Sequence, residues 1–204
     1  MARVGKEIIE ALVLAAVVFM LLQTTMRNFR VEGSSMDPTL EHGQYLLVNR
    51  LVYLNIELDR LAKIVPFWGA DEGSSRKAIH APYRGEVIVF EYPDKNPNNP
   101  RKDFVKRVVG LPGETIRMHD GVVFVNEVEL EEPYLAGKDH SNASELTLRK
   151  GEYYVLGDNR AHSNDSRAWS AVPDANLRGK AWLVYWPAPG IQILNILDRI
   201  PGFG

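Results

Sequence analysis

Nineteen residues near the N-terminus, Ile8 to Met26, constrain this chain more than any others. They are mostly apolar, with an uninterrupted run from Ala11 to Leu22 and a single carboxylate, Glu10, near the start. As a helix rising about 1.5 Å per residue they span roughly 28 Å, close to the thickness of a bilayer's hydrocarbon. Such a segment has three destinations: a membrane anchor, a cleaved signal peptide or a helix buried in a core. A cleaved signal ends on small residues of the Ala-x-Ala kind, and Gln23-Thr24-Thr25-Met26-Arg27 offers no such site. The expectation is therefore an uncleaved anchor that crosses the membrane once. Charge barely sets its orientation, because Arg3, Lys6 and the terminal amine on one side face Arg27 and Arg30 on the other.

A chain of 204 residues is long enough for one domain with a real core or two small ones. The net charge of -2 provides no polycationic surface, so nucleic acid is not an expected partner. Without any cysteine there is no disulfide framework, no thiol nucleophile and no Cys-based metal site. His42, His80, His119, His140 and His162 are scattered, with no pair at metal-ligand spacing, and are read as surface residues.

Beyond the anchor the pattern is one of short strands. Gln44 to Asn49 and Glu86 to Tyr92 are apolar runs rich in branched and aromatic residues. Between them an excursion from about Leu54 to Tyr83 carries Leu54, Leu58, Leu61, Ala62 and Val65 at helical spacing, predicting a short helix before Pro66-Phe67-Trp68-Gly69 breaks it. A second excursion, Pro93 to Arg101, is so rich in turn formers that it reads as a mobile hairpin tip. Phe104 to Val109, Thr115 to Met118, Gly121 to Asn126 and Val128 to Leu130 follow as strands, with Asp120-Gly121 supplying a hairpin turn. Glu131 to Leu146 reads as loop, and Tyr153 to Leu156 and Ala181 to Trp186 as two further strands. The fold class expected is mainly β, a bent, partly closed antiparallel sheet on one membrane helix. The domain boundaries expected are a tail at 1–7, an anchor at 8–26 and a single β domain at 27–204, with insertions near 54–83 and 93–102.

Three stretches carry chemistry. Val31 to Leu40, Val-Glu-Gly-Ser-Ser-Met-Asp-Pro-Thr-Leu, sets two hydroxyls beside a glycine and stiffens the exit with Pro38. Phe104 to Glu114 contains two adjacent cations, Lys106 and Arg107, on one predicted strand. Side chains alternate along a strand, so one of the two must lie among apolar neighbours. Arginine stays charged there, whereas a desolvated lysine can fall from about 10.4 towards roughly 7 or 8 and act as a general base. Gly157 to Arg167, Gly-Asp-Asn-Arg-Ala-His-Ser-Asn-Asp-Ser-Arg, is the third stretch; its His162 is a weaker candidate for the base of a Ser/His pair.

These three motifs, with the strand Arg84-Gly85-Glu86-Val87-Ile88-Val89-Phe90, resemble in kind and order those of the type I signal peptidases, membrane-bound Ser/Lys proteases that remove signal peptides. The resemblance implies Ser35 as nucleophile, its N–H as an oxyanion donor, and Lys106 as base. It further implies Ser163 hydrogen-bonded to Lys106, and Asp165 and Arg167 as a supporting ion pair, with Gly157, Asp158 and Asn159 structural. Many family members carry a serine where this chain has Gly33, which leaves the second oxyanion donor unassigned. Family members bind an extended peptide along a strand edge, with pockets for small residues at the first and third positions before the cut. Phe29, Val31 and Met36 are the expected pocket walls, being apolar and close to Ser35. Phe67 and Trp68 are a candidate membrane-interface pair.

No metal or cofactor is implied. The implied partners are secretory precursor proteins and the lipid bilayer, the implied oligomeric state is a monomer, and the implied location is a cell membrane with the N-terminus cytoplasmic and the catalytic domain outside. Lys106→Ala is expected to abolish cleavage and Arg107→Ala to leave the chemistry largely intact. Two rivals remain. Self-cleaving SOS repressors also use Ser and Lys, but would carry a DNA-binding helix pair where this chain has its apolar span. A membrane-tethered binding module would keep the fold without the activity.

Overall fold

The computed structural model describes residues 2–53, 55–56, 77–78, 81–94, 96, 98–135, 137, 139–187 and 190–194. Helix α1 runs over Ala2–Thr25. It therefore begins ahead of the apolar run, taking in most of the segment expected as a separate tail. Lys6 and Glu10, one turn apart, face each other at 3.7 Å and place the lone carboxylate of that run beside a cation. The large apolar side chains of α1, from Ile8 and Ile9 through Leu12 and Val17 to Met20, are exposed. Among the described residues no helix is long and apolar enough to cross a membrane. After the two β-branched residues Thr24 and Thr25 the chain turns extended at once, so Met26, expected as the end of the helix, opens β1 (Met26–Arg30).

β1 pairs antiparallel with β2 (Tyr45–Asn49). The excursion that follows shows a short pair, β3 (Asn55–Ile56) with β4 (Lys77–Ala78). Asn55 and Ile56 therefore stand in a strand where helical spacing predicted the first turn of a helix over Leu54 to Val65, because they pair with Lys77 and Ala78; the rest of that expected helix, with Phe67 and Trp68, lies outside the described residues. β5 (Val87–Glu91) and β6 (Asp103–Gly110) form a hairpin across the second excursion, where the Asp94 carboxylate accepts from the Asn96 N–H and the Asn99 amide, both at 2.8 Å. β7 (Thr115–His119) and β8 (Val122–Val125) form the expected hairpin, with Asp120 and Gly121 both at positive φ. β9 (Val128–Glu129) and β10 (Ala143–Thr147) complete a four-stranded sheet in the order β10-β7-β8-β9. β10 corrects the expected loop over Glu131 to Leu146. Its residues are mainly polar because it is an edge strand, turning only Ala143 and Leu146 onto the cluster of Ile116, Met118 and Val125.

β11 (Glu152–Leu156), β12 (Val172–Pro173), β13 (Leu177–Trp186) and β14 (Gln192–Ile193) finish the large sheet. Its order is β1-β2-β13-β5-β6-β11-β12, with β14 on β13, every pairing antiparallel. Three irregularities in the register of β13 bend the sheet where it crosses β2 and β5. At Gly179 the approach is so close that a Cβ would stand 2.5 Å from the Asn49 carbonyl oxygen, so no larger residue fits. The fold is mainly β, a curled antiparallel sheet. Inside the curl, Val31, Met36, Leu40, Leu46, Val48, Val87, Val89 and Val184 form one core cluster.

Candidate active site

The serine loop joins β1 to β2. Its neck is closed by the Val31 N–H donating to the Gln44 carbonyl at 2.8 Å and the Gly43 N–H to the Val31 carbonyl at 2.9 Å. Val31, Met36 and Leu40 are buried, which fastens the loop from within and leaves Ser34 exposed and Ser35 half-buried between them. Gly33 holds φ at +87°, a conformation that a side chain would strain, and its N–H donates to His42 Nδ1 at 3.0 Å. Asn159 grips the loop from behind: its amide Nδ2 donates to the Ser34 carbonyl and its backbone N–H to the Ser35 carbonyl, both at 3.1 Å. The Ser35 N–H itself makes no hydrogen bond among the described residues.

Lys106 arrives on β6. It is 4% exposed, and its Nζ donates to Ser35 Oγ at 2.7 Å and to the Val105 carbonyl at 2.9 Å. Its other near neighbour is the Phe104 ring, 5.6 Å away. Loss of hydration pushes the amine from its ordinary 10.5 down to about 8, while the more distant Asp165 and Asp158 carboxylates pull the other way. At pH 7 roughly a tenth of such an amine is uncharged, and the fraction grows through about pH 8.

Arg107 overturns the expectation that only one of the two cations is buried, being 1% exposed on the opposite side of the strand. Its guanidinium makes a two-point pair with Asp158, Nε to Oδ1 at 2.9 Å and Nη2 to Oδ2 at 2.7 Å, and donates to the Gly85 carbonyl at 2.8 Å. It also stacks 4.0 Å over the Tyr134 ring. Thr39, at the far end of the serine loop, donates to Asp158 Oδ2 at 2.5 Å and accepts from Arg107 Nη2 at 3.2 Å. One buried ion pair thus ties together the serine loop, β6 and the third motif. The revised expectation is that Arg107→Ala damages the fold and the placing of the loop.

Asp165 and Arg167 form the bidentate pair expected of them, Nε to Oδ1 at 2.8 Å and Nη2 to Oδ2 at 2.9 Å. Asp165 also accepts from the Gly157 N–H at 3.1 Å and caps the helical turn at Ser166–Trp169 through the Arg167 N–H. Arg167 reaches on to Asp139 at 3.0 Å and Ser141 at 2.8 Å, pinning the third motif to the small sheet. The bond expected from Ser163 to Lys106 is absent: Ser163 Oγ is buried without a hydrogen-bond partner. It lies against Gly157, where an added Cβ would stand 2.2 Å from Ser163 Oγ and 2.4 Å from the Ser35 carbonyl oxygen. Gly157 is therefore required for the third motif to pass under the serine. His162 is exposed, with Nδ1 beside Asn159 Oδ1 at 3.2 Å rather than beside Ser35.

Ser35 and Lys106 stand in an open groove of about 650 Å³. One wall is β1 and the loop after it, from Phe29 to Ser34; the other is Lys102 to Val105. On the side of β6 away from β5, β11 pairs only from Arg107 onward, so Asp103 to Lys106 present a free edge among the described residues. Phe29 and Val31 line the groove as expected, but Met36 does not; it is sunk in the core because the loop turns back on itself there. Leu46, Val89 and Val105 contribute the apolar floor that sequence reasoning missed. Only Val105 carried a signal, its adjacency to Lys106.

A serine hydroxyl held against a buried amine beside two strand edges is suited to nucleophilic attack on an extended peptide, the chemistry of serine peptidases. The family model described as signal peptidase, peptidase S26, matches residues 3–186. Signal peptidase I of Pseudomonas aeruginosa is 32% identical over 90% of this chain and 74% of its own length. Signal peptidase IB of Staphylococcus aureus is 30% identical over 89% of this chain and 91% of its own. A crystal structure of a signal peptidase I from Enterococcus faecalis, 33% identical, covers 49% of this chain and 96% of its own, with a TM-score of 0.40. The chain belongs to the signal peptidase family, peptidase S26, whose members are serine endopeptidases.

Proposed function

We propose that this chain is a membrane-anchored endopeptidase that removes N-terminal signal peptides from exported precursors, cutting after small residues in an Ala-x-Ala pattern. The observation that carries the reading is the 2.7 Å contact between Lys106 Nζ and Ser35 Oγ within a groove open along two strand edges. In the reactive state Lys106 is neutral, and the Ser35 hydroxyl donates to Nζ. The amine takes that proton as Oγ attacks the scissile carbonyl carbon, and the oxyanion accepts from the otherwise unused Ser35 N–H. The ammonium then protonates the leaving amine as the C–N bond breaks, and water repeats the sequence to free the acyl chain. Gly33 has no hydroxyl to offer a second donor, and its own N–H is engaged with His42.

An extended substrate alternates its side chains, so the first and third residues before the cut face the same way. They meet the floor of Phe29, Val31, Leu46, Val89 and Val105, and the preference for small residues there is what the family resemblance implies. Ser163 would complete the arrangement by changing rotamer: once Lys106 is an ammonium it has a third N–H to place, and a turn of the Ser163 side chain about Cα–Cβ is needed for its unpaired Oγ to accept it. Asp165 and Arg167 hold that loop. The exposed apolar surface of α1 supports its role as a single-pass anchor; a cytoplasmic N-terminus, with residues 27–204 outside the membrane, is what the family resemblance implies.

The test is cleavage, in detergent micelles, of a precursor with an Ala-x-Ala site by the wild-type chain, Ser35→Ala and Ser34→Ala. Only Ser35→Ala is expected to be inactive. A folded wild-type protein that leaves the precursor whole would return the chain to the binding-module reading.

A further inference from the structure

Phe29 and Asp103 line the substrate groove and also a second cavity of about 260 Å³. The rest of that second lining is charged: Arg27, Arg50, Arg101 and Arg178 with Glu91. Four guanidinium groups thus meet two carboxylates. Arg178 pairs with Glu91 and reaches Asp103 at 3.7 Å, and Arg101 meets Glu91 at 3.5 Å. Arg27 and Arg50 form no ion pair within 4 Å among the described residues, although the Arg27 charge acts on the Asp103 carboxylate from farther away. Two positive charges are left over in a concavity that would hold a phosphate group.

Its place in the chain selects the ligand. Arg27 follows α1 by two residues, and the Arg50 N–H donates to the carbonyl of Thr25, the last residue of α1, at 2.9 Å. If α1 crosses the bilayer, as proposed above and as this inference requires, the cavity lies at the level of the lipid headgroups. Arginine's planar fork matches phosphate oxygens in pairs, and a juxtamembrane cation gains from anionic lipid. A basic peptide segment would instead be repelled. We propose that Arg27 and Arg50, supported by Arg101 and Arg178, bind the phosphate of an anionic lipid headgroup, so that a lipid forms the membrane-ward end of the substrate groove. This also gives Arg27 a reason to stand where it weakens the charge asymmetry that orients an anchor.

The test uses the full chain in detergent, with native mass spectrometry after adding phosphatidylglycerol, phosphatidylcholine or inorganic phosphate. Phosphatidylglycerol should be retained in preference to the other two. Arg27→Gln with Arg50→Gln should weaken that retention by about five-fold per guanidinium removed. Neither arginine has an ion-pair partner to orphan, so both variants should fold. Equal retention of the two lipids, or undiminished retention by the double variant, overturns the proposal; inorganic phosphate bound as well as phosphatidylglycerol overturns its lipid form. Two controls keep the premises separate. Cleavage of a short soluble peptide by wild-type and double variant reports on the peptidase reading alone, and resistance of the chain to alkaline extraction from vesicles reports on the anchor alone.

Discussion

Lys106 and Arg107 are neighbours on one strand, both buried, and they differ in what meets the charge. Arg107 is met by a carboxylate at two points, by a carbonyl and by an aromatic face. Lys106 is met by a hydroxyl and a carbonyl, with its nearest carboxylates too far to pair. Burial alone therefore does not make a base. The side chain that cannot lose its proton is given a counter-ion, and the one that can is denied one. This asymmetry divides β6 into a structural side and, on the function proposed above, a chemical side.

The largest effect should come from the chemical side. Ser35→Ala or Lys106→Met should lower kcat/KM for a precursor by at least about 10⁴-fold with the fold intact, the scale seen when a member of a nucleophile–base pair is removed. Circular dichroism beside the kinetics checks both halves. Comparable activity in Lys106→Met and wild type would erase the division.

The structural side should fail differently. Arg107→Met leaves Asp158 buried and uncompensated, which should cost about 3–5 kcal/mol of stability, read as a lowered midpoint of urea unfolding in detergent. Activity should fall with it, because Thr39 loses an anchor for the serine loop. Replacing Arg107 and Asp158 together by Met and Leu should recover most of the stability, since an apolar pair of similar volume leaves no orphaned charge. Full stability in Arg107→Met alone would show that the pair is not what holds the loop.

The pH dependence sharpens the same contrast. Lys106 titrates near 8 in the fold against 10.5 when unfolded, so between those values the unfolded chain binds more protons and stability rises with pH. Below pH 8 the burial costs about 3 kcal/mol, a cost that is relieved between pH 8 and 10.5. Lys106→Met should therefore be more stable than wild type at pH 7, with the difference shrinking across that window. The charged groups acting on the amine are the buried carboxylates Asp165 and Asp158, which oppose the effect of burial. In wild type, kcat/KM should climb through about pH 8 as the neutral amine is populated. A flat profile would mean that Lys106 is not the base.

Much of this was legible in the sequence, and the reasons are local. Apolar alternation identifies β2, β5, β6 and β11 because each turns at least one face onto a core. Adjacent Lys106 and Arg107 announce a strand with an odd cation, but alternation cannot say that Asp158, 51 residues away, will let the second one be buried too. β10 was missed because an edge strand needs few apolar residues. Met36 was misplaced because nearness to Ser35 in sequence says nothing about a loop that folds its own apolar side chains inward. Leu46 and Val89 reach the groove only through the curl of the sheet, which depends on the bends in β13 and leaves no mark near either residue.

The smallest effect belongs to Ser163, where geometry and proposed role pull apart. Its hydroxyl is buried and unpaired in the resting arrangement, so Ser163→Ala removes an unsatisfied group and should leave stability within about 1 kcal/mol of wild type or slightly above it. A merely structural serine would leave the kinetics equally untouched. A serine that turns to receive the third N–H of the Lys106 ammonium would show itself in kcat alone. A hydrogen bond to a charged group is worth roughly 1.5–3 kcal/mol, about 10- to 150-fold in rate. Because that bond favours the charged amine, its loss should also move the pH midpoint of kcat/KM downward. The expected outcome is therefore a slower enzyme with unchanged KM, unchanged stability and a more acid midpoint. If rate and midpoint both stay put, Lys106 keeps only the two partners seen here, and the hydroxyl of Ser163 is just packing over Gly157.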